Sequence, residues 1–270
     1  MAALRRRRPL LLRLVAAEVK ITASLILRNE RARYLDACLS SLLEFCDEIR
    51  VIDDGSTDGW REGWMSEPRI VALSLVRVDS TEAFCNHAWA RNWLLDWTLQ
   101  GDPTFVLAVD ADEFVSDDQT LRRALEHLPG DVFTLSIEEA WELCDDCICV
   151  REDGGWRSHE IGNVWRPEAF EGKNLTITDR GHATGRVPDA INGVPSVATG
   201  VQLLHLGWAN KTERAERFER YRVGDGGRFH AKAHIDSIMW EDRRVSCRSR
   251  EWPAGLAPYK DALIARAGVH

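Results

Sequence analysis

Two short apolar runs rich in β-branched residues each end in two aspartates, and no other feature restricts the fold of this chain as much. Residues 49–52 lead into Asp53-Asp54-Gly55-Ser56-Thr57-Asp58, and residues 105–109 lead into Asp110-Ala111-Asp112. An apolar run of that length bounded by turn-forming residues is a buried strand delivering a loop. A run of the same kind over 21–27 ends at Arg28-Asn29-Glu30, and a further one spans 70–76. Leu35, Leu39, Leu42, Leu43 and Cys46 recur at three- and four-residue steps, which predicts a helix over 33–46, and a second helix is expected over 81–99. Strand and helix therefore alternate, as in a parallel α/β sheet whose helices make the crossovers. Open sheets of this kind bind ligands beyond the carboxyl ends of their strands, so the two acidic loops can face one site.

The 270 residues suffice for one large α/β domain with a C-terminal extension, and 44% hydrophobic with 29% charged residues are globular proportions. Acidic residues outnumber basic ones, 43 against 35, for a formal charge of −8, which argues against a surface built to grip nucleic acid phosphates. Seven cysteines without a recognisable export signal point to reduced thiols and a cytoplasmic setting. Arg5-Arg6-Arg7-Arg8 precedes an apolar stretch that Arg13 interrupts, too short to cross a bilayer. Residues 1–18 are expected to be a disordered basic arm, with weak contact to the inner face of an anionic membrane as its alternative role.

Asp110 and Asp112, one residue apart at a strand end, are a natural seat for Mg²⁺ or Mn²⁺, hard cations that take oxygen ligands and share them with phosphates. Such an ion neutralises the charge that builds on a departing nucleoside diphosphate. Glu113 can add a ligand or a hydrogen bond.

Four successive blocks carry a wider pattern. They are Ser24-Leu25-Ile26-Leu27-Arg28-Asn29-Glu30, Val51-Ile52-Asp53-Asp54-Gly55-Ser56-Thr57-Asp58, Ala90-Arg91-Asn92 and Val109-Asp110-Ala111-Asp112-Glu113. Over about residues 19–115 the sequence thereby resembles glycosyltransferase family 2, enzymes of the GT-A fold. The resemblance implies a Rossmann-like, mostly parallel sheet flanked by helices, with a donor-binding half over 19–130 and an acceptor-side half with a helical extension over 131–270. It implies a nucleoside-diphosphate sugar as donor, a UDP-sugar slightly favoured, with Asp53 or Asp54 receiving base and ribose. Asn29, Glu30, Arg91 and Asn92 would line the donor side, and Asp110 the diphosphate. A distant histidine, His205 in Leu203-Leu204-His205-Leu206-Gly207-Trp208, would complete the metal site with Asp110 and Asp112.

His182, in Arg180-Gly181-His182-Ala183, is similar to the histidine of a His-Glu pair in bacterial relatives that glycosylate lipopolysaccharide core, although Ala183 stands at the glutamate position. Inverting members use a carboxylate to take the acceptor proton. Glu138, Glu139, Glu142, Asp179 and Asp189 are open for that role, and Glu139 joins Asp112 and His182 as a catalytic candidate. The acceptor stays open among a glycan, a protein side chain, a small molecule and a hydroxymethylated base. The alternatives are a non-catalytic nucleotide-sugar or glycan binder of the same fold and a sugar-1-phosphate nucleotidyltransferase. The latter needs a Gly-rich phosphate loop where this chain has Arg28-Asn29-Glu30.

Beyond residue 131 the pattern is harder to read, with short β-like pieces expected over 132–137 and 175–178 and a helix capped by Thr212. The mixture of Lys211, Arg214, Arg217, Arg220 and Arg222 with glutamates reads as a solvated helix face, while Arg243, Arg244, Arg248 and Arg250 are candidates to clamp a diphosphate. Trp89, Trp93 and Trp97 fall at four-residue steps and predict a core-facing stripe, and Trp141, Trp156, Trp165 and Trp208 are candidates to stack on sugar rings. Cys144-Asp145-Asp146-Cys147-Ile148-Cys149 has spacings that hold zinc if a fourth thiolate or His159 closes the tetrahedron. No second CxxC exists and Asp145 and Asp146 add negative charge, so ordinary reduced thiols are expected there.

Overall fold

The computed structural model describes residues 19–75, 88–180, 184–224, 230–240 and 244–268. Strand β1 (Ile21–Leu27) is buried along its whole length because it lies between two parallel neighbours, β2 (Glu48–Asp53) and β4 (Phe105–Ala108). β3 (Ile70–Ser74) continues the parallel order outside β2. Strands covered on both faces read as continuous apolar runs, which is why this half is the legible one. Helix α1 (Leu35–Leu43) buries Leu35, Leu39 and Leu42 as the spacing predicts, but it begins two residues later than expected. The Glu30 carbonyl takes the N–H groups of Arg33 and Leu35, so the preceding residues form a turn. α2 (Trp60–Trp64) is a short helix between β2 and β3.

Helix α3 (Ala88–Leu99) corrects the tryptophan stripe: its buried face is Ala88, Ala90, Arg91, Leu94, Leu95 and Thr98. Trp89 and Trp93 are 55% and 50% exposed, and Trp97 lies beneath the Arg50 guanidinium at its edge. Small and aliphatic side chains fit the close approach of this helix to β1 and β2, whereas indoles do not. The expected start of this helix, from residue 81 to 87, falls outside the described residues.

The second half is built on β6 (Val132–Leu143), one twelve-residue strand where only 132–137 was expected. It pairs antiparallel with β8 (His159–Trp165) and parallel with β9 (Val197–His205), while its far end pairs with β7 (Ile148–Arg151), which in turn carries β10 (Cys247–Arg250). β8 pairs with β4, and β5 (Glu113–Val115) with β9, so ten strands make one mixed sheet. A mixed α/β fold with helices flanking the sheet is thus the observed class, its first half parallel and its second mostly antiparallel. Phe105 and Phe133 meet edge to face at 5.6 Å where the halves join. Residues 175–178 form no strand; Ile177 is instead held by the Asn92 side chain.

Helices α4 (Asp118–His127), α5 (Lys211–Gly224), α6 (Lys232–Ser237) and α7 (Lys260–Ala267) complete the order. Asn210, not Thr212, caps α5: its side-chain oxygen accepts from the N–H groups of Thr212 and Glu213 at 2.8 and 3.1 Å. α5 is no solvated face either, since Glu213 and Arg214 are buried and Arg214 donates to the carbonyls of Trp141 and Trp208. Among the described residues no helix is long and apolar enough to cross a membrane.

Candidate functional site

The loops after β1 and β4 and the β5, β9 and β6 ladders open onto a cleft of about 780 Å³. Strand register brings its central groups together: His205 of β9 stands opposite Glu113 of β5 on one side and Glu139 of β6 on the other. His205 Nδ1 meets the Glu139 carboxylate at 2.6 Å, and its Nε2 faces Asp112 Oδ1 at 3.4 Å. The second Asp112 oxygen takes the Arg217 guanidinium from α5. The Asp112 carbonyl accepts from the Leu206 N–H at 2.9 Å, locking the acidic turn to the end of β9.

Asp110 is turned elsewhere. Arg91 from α3 donates to it at 2.9 Å and Arg186 lies 3.7 Å away. Arg186 also pairs with Glu113, whose carboxylate accepts the Asp110 N–H and so fixes the turn from beneath. The ligating atoms of Asp110, Asp112 and His205 are therefore not drawn into one cluster.

Burial alone would raise the Asp112 carboxyl, but His205 and Arg217 outweigh it and hold the group well below the usual carboxylate range. Asp110 is lowered likewise, burial being outweighed by Arg186 and Arg91. Burial would lower the His205 imidazole, yet Glu139 and Asp112 push it well above its ordinary value. Glu113 is raised, chiefly by burial. Glu30 also lines the cleft, and burial pushes its carboxyl up to about 7 against the pull of its partner Arg33, which it meets at 3.0 Å. Arg33 continues to Glu213 at 2.8 Å, and Glu213 to Arg266.

The donor set at Asp112 and His205 suits a hard divalent cation, one carboxylate oxygen and one imidazole nitrogen with a carboxylate behind the ring. Gly207 keeps the space open: a Cβ there would sit 2.5 Å from Arg217 Nη2 and Asp112 Oδ2 and 2.6 Å from His205 Nε2.

The other sequence candidates divide. Asn29, in the left-handed region at φ 55° that asparagine tolerates, binds the β2 loop by accepting from the Thr57 N–H at 2.8 Å. Asp53 accepts from the Ser56 N–H, the Trp60 indole and Arg61 at 2.8, 3.1 and 3.1 Å, so its carboxylate shapes its own loop. Asp54 beside it is buried. Neither aspartate is part of the cleft wall, nor is Asn92. The Asn92 amide donates to the Ala88 and Ile177 carbonyls and accepts from the Ile177 N–H, all at 2.8 Å. Asn92→Ala strands that backbone pair and is expected to lower stability by about 1–3 kcal/mol, read as a fall in Tm by circular dichroism.

His182 and Arg243 lie outside the described residues. Glu138 pairs with Arg248 and Arg250 rather than facing a substrate, which also removes those arginines as a diphosphate clamp. Trp141, Trp156, Trp165 and Trp208 are all buried, but Trp156 and Trp208 form part of the cleft wall, packed edge to face at 5.1 Å. Arg33, Arg186 and Tyr221 reach the cleft without having been singled out from the sequence. Arg186 stands in the irregular segment Gly185-Arg186-Val187-Pro188, which carries no motif, and it meets Glu113 and Asp110 only through the fold.

Residues 25–137 match the family model of glycosyl transferase family 2. Uncharacterized proteins of Mycobacterium tuberculosis and Mycobacterium bovis are each 31% identical over 228 residues, covering 78% of this chain and 52% of theirs. The chain thus spans about half the length of the curated relatives it matches. Among solved structures, the glycosyltransferase GlyE of Streptococcus pneumoniae is 16% identical, covering 57% of this chain and 36% of that one, with a TM-score of 0.33. HddC of Yersinia pseudotuberculosis is 10% identical, covering 69% and 93%, with a TM-score of 0.38.

Proposed function

We propose that this chain, whose residues 25–137 match glycosyl transferase family 2, moves a sugar from a nucleoside-diphosphate donor to an acceptor hydroxyl with inversion and divalent-metal assistance. The observation that carries the reading is the line from Asp112, in the turn before β5, through His205 of β9 to Glu139 of β6, in one cleft. A bound Mn²⁺ or Mg²⁺ supplies positive charge to the departing diphosphate. Asp112 and His205 would hold it, and Asp110 would join them only by turning away from Arg91 and Arg186.

With a cation bound, Glu139 would keep a proton on His205 Nδ1 and leave Nε2 free to ligate. Without one, the two carboxylates favour the charged imidazolium, whose Nε2–H is directed at Asp112. Arg91, Arg186 and Arg217 set guanidinium donors around the acidic turn, where phosphate oxygens accept paired hydrogen bonds. Trp156, Trp208 and Tyr221 give the same cleft an aromatic wall against which a sugar face can lie. We assign the nucleoside to the loop that Asp53 shapes and on which Asp54 stands.

Glu139 was a candidate base in the sequence, and its contact with His205 supports a positioning role instead. Glu139→Gln is expected to raise the Mn²⁺ concentration giving half-maximal transfer about 10–100-fold while the rate recovers at saturating metal. A variant with unchanged metal dependence but a lost limb in its pH–rate profile would make Glu139 the base.

A further inference from the structure

The tip of the β6–β7 hairpin carries three sulfurs for which the proposed transfer has no use. Cys144, Cys147 and Cys149 are half-buried, and their Sγ atoms lie within 4.8 Å of one another. Among the described residues no other group of histidine, cysteine, aspartate or glutamate side chains draws together in this way. Cys144 and Cys147 bracket the hairpin turn, closed by the Cys144 N–H donating to the Cys147 carbonyl at 2.9 Å, and Cys149 is the second residue of β7. The Trp252 indole donates to the Cys144 carbonyl at 3.0 Å and holds the turn against the sheet.

The neighbouring strand brings a fourth sulfur to the same face. Cys149 pairs with Ser249 of β10, and Cys247 is two positions along, so the alternation of side chains puts Cys247 and Cys149 on one side of the ladder. Cys247 is exposed.

We propose that Cys144, Cys147, Cys149 and Cys247 form a structural zinc site that fastens the hairpin tip to β10. Zinc–thiolate bonds of about 2.3 Å place tetrahedral sulfurs about 3.8 Å apart, so the three hairpin sulfurs close by about 1 Å at most. Asp145 and Asp146, which spoke against zinc in the sequence, are exposed on the turn. The carboxylate that acts on Cys144 and Cys149 is Glu142. Four thiolates leave no open position, so the ion braces rather than catalyses. What it braces is the strand pair whose Arg248 and Arg250 grip Glu138, the residue before Glu139.

The test uses the full chain, reduced, reconstituted with Zn²⁺ and dialysed against metal-free buffer. Mass spectrometry of the metal is expected to find about one zinc per chain, and Co²⁺ in its place to give the absorption of a tetrahedral thiolate site. Cys144→Ser with Cys147→Ser is expected to lose both signals, and Cys247→Ser to release zinc more readily to a competing chelator. Zinc below about a tenth per chain in the reduced wild type overturns the site. So does equal zinc in the double variant, or a Co²⁺ spectrum without thiolate character, a readout that needs no variant to fold. Unchanged zinc retention in Cys247→Ser overturns Cys247 as the fourth ligand.

Discussion

Asp112→Asn is expected to lower sugar transfer by about 10²–10³-fold, because the carboxylate that would hold the cation and face the departing diphosphate is lost. The same change removes the shared counter-charge of His205 and Arg217, both of which meet Asp112 in a buried position. Breaking a buried ion pair from one side costs about 3–5 kcal/mol, so the variant is assayed at a temperature where circular dichroism shows it folded. The readout is release of nucleoside diphosphate at saturating donor and Mn²⁺. Activity within about threefold of wild type would remove Asp112 from the chemistry.

Gly207→Ala tests the same cluster without removing a charged group. The added methyl would fall 2.5 Å from Arg217 Nη2 and Asp112 Oδ2, so both side chains and His205 must move. Overpacking of this kind costs about 1–3 kcal/mol, and a displacement of about 1 Å in a positioning group costs about 10²-fold in rate. We expect that loss in kcat with a modest fall in Tm. Gly255→Ala is the control, since a Cβ there has nothing within 4 Å, and it is expected to leave both unchanged. If Gly207→Ala retains full activity, the Asp112–His205 pair is not where the reaction is held.

The parallel half of the sheet was readable because β1 and β4 are buried on both faces and β2 at Ile49, Val51 and Ile52, so that their burial shows as short, mostly apolar runs. β6 was not readable beyond residue 137. Its Glu138 and Glu139 look like a strand end, yet Arg248 with Arg250 neutralises one and His205 takes up the other, partners that lie far along the chain. Arg214 failed for the same reason: it sits on a helix dense in charge, and only its packing beneath Trp141 shows that it points inwards. The tryptophan stripe of α3 had helical spacing, but spacing fixes a common face and not which face is covered.

Within the cleft, Asp110, Asp112 and His205 were legible, the first two from their place after a strand and the third by family resemblance. Asp53 and Asn29 were legible as loop residues, but their hydrogen bonds run to the loop itself. Of the arginines that surround the acidic turn, Arg91 of α3 was announced by the Ala90-Arg91-Asn92 block, whereas Arg217 of α5 and Arg186 before β9 follow no local motif.

The central claim, metal-assisted transfer from a nucleotide-sugar, is tested most directly by measuring nucleoside diphosphate release from UDP-, GDP-, TDP- and CMP-linked sugars, the last read as the monophosphate. Each is assayed after chelation and again after Mn²⁺ is restored. The account predicts release from a diphosphate donor that stops on chelation, returns with Mn²⁺ and is absent in Asp112→Asn. Release that continues undiminished through chelation and in Asp112→Asn would contradict it.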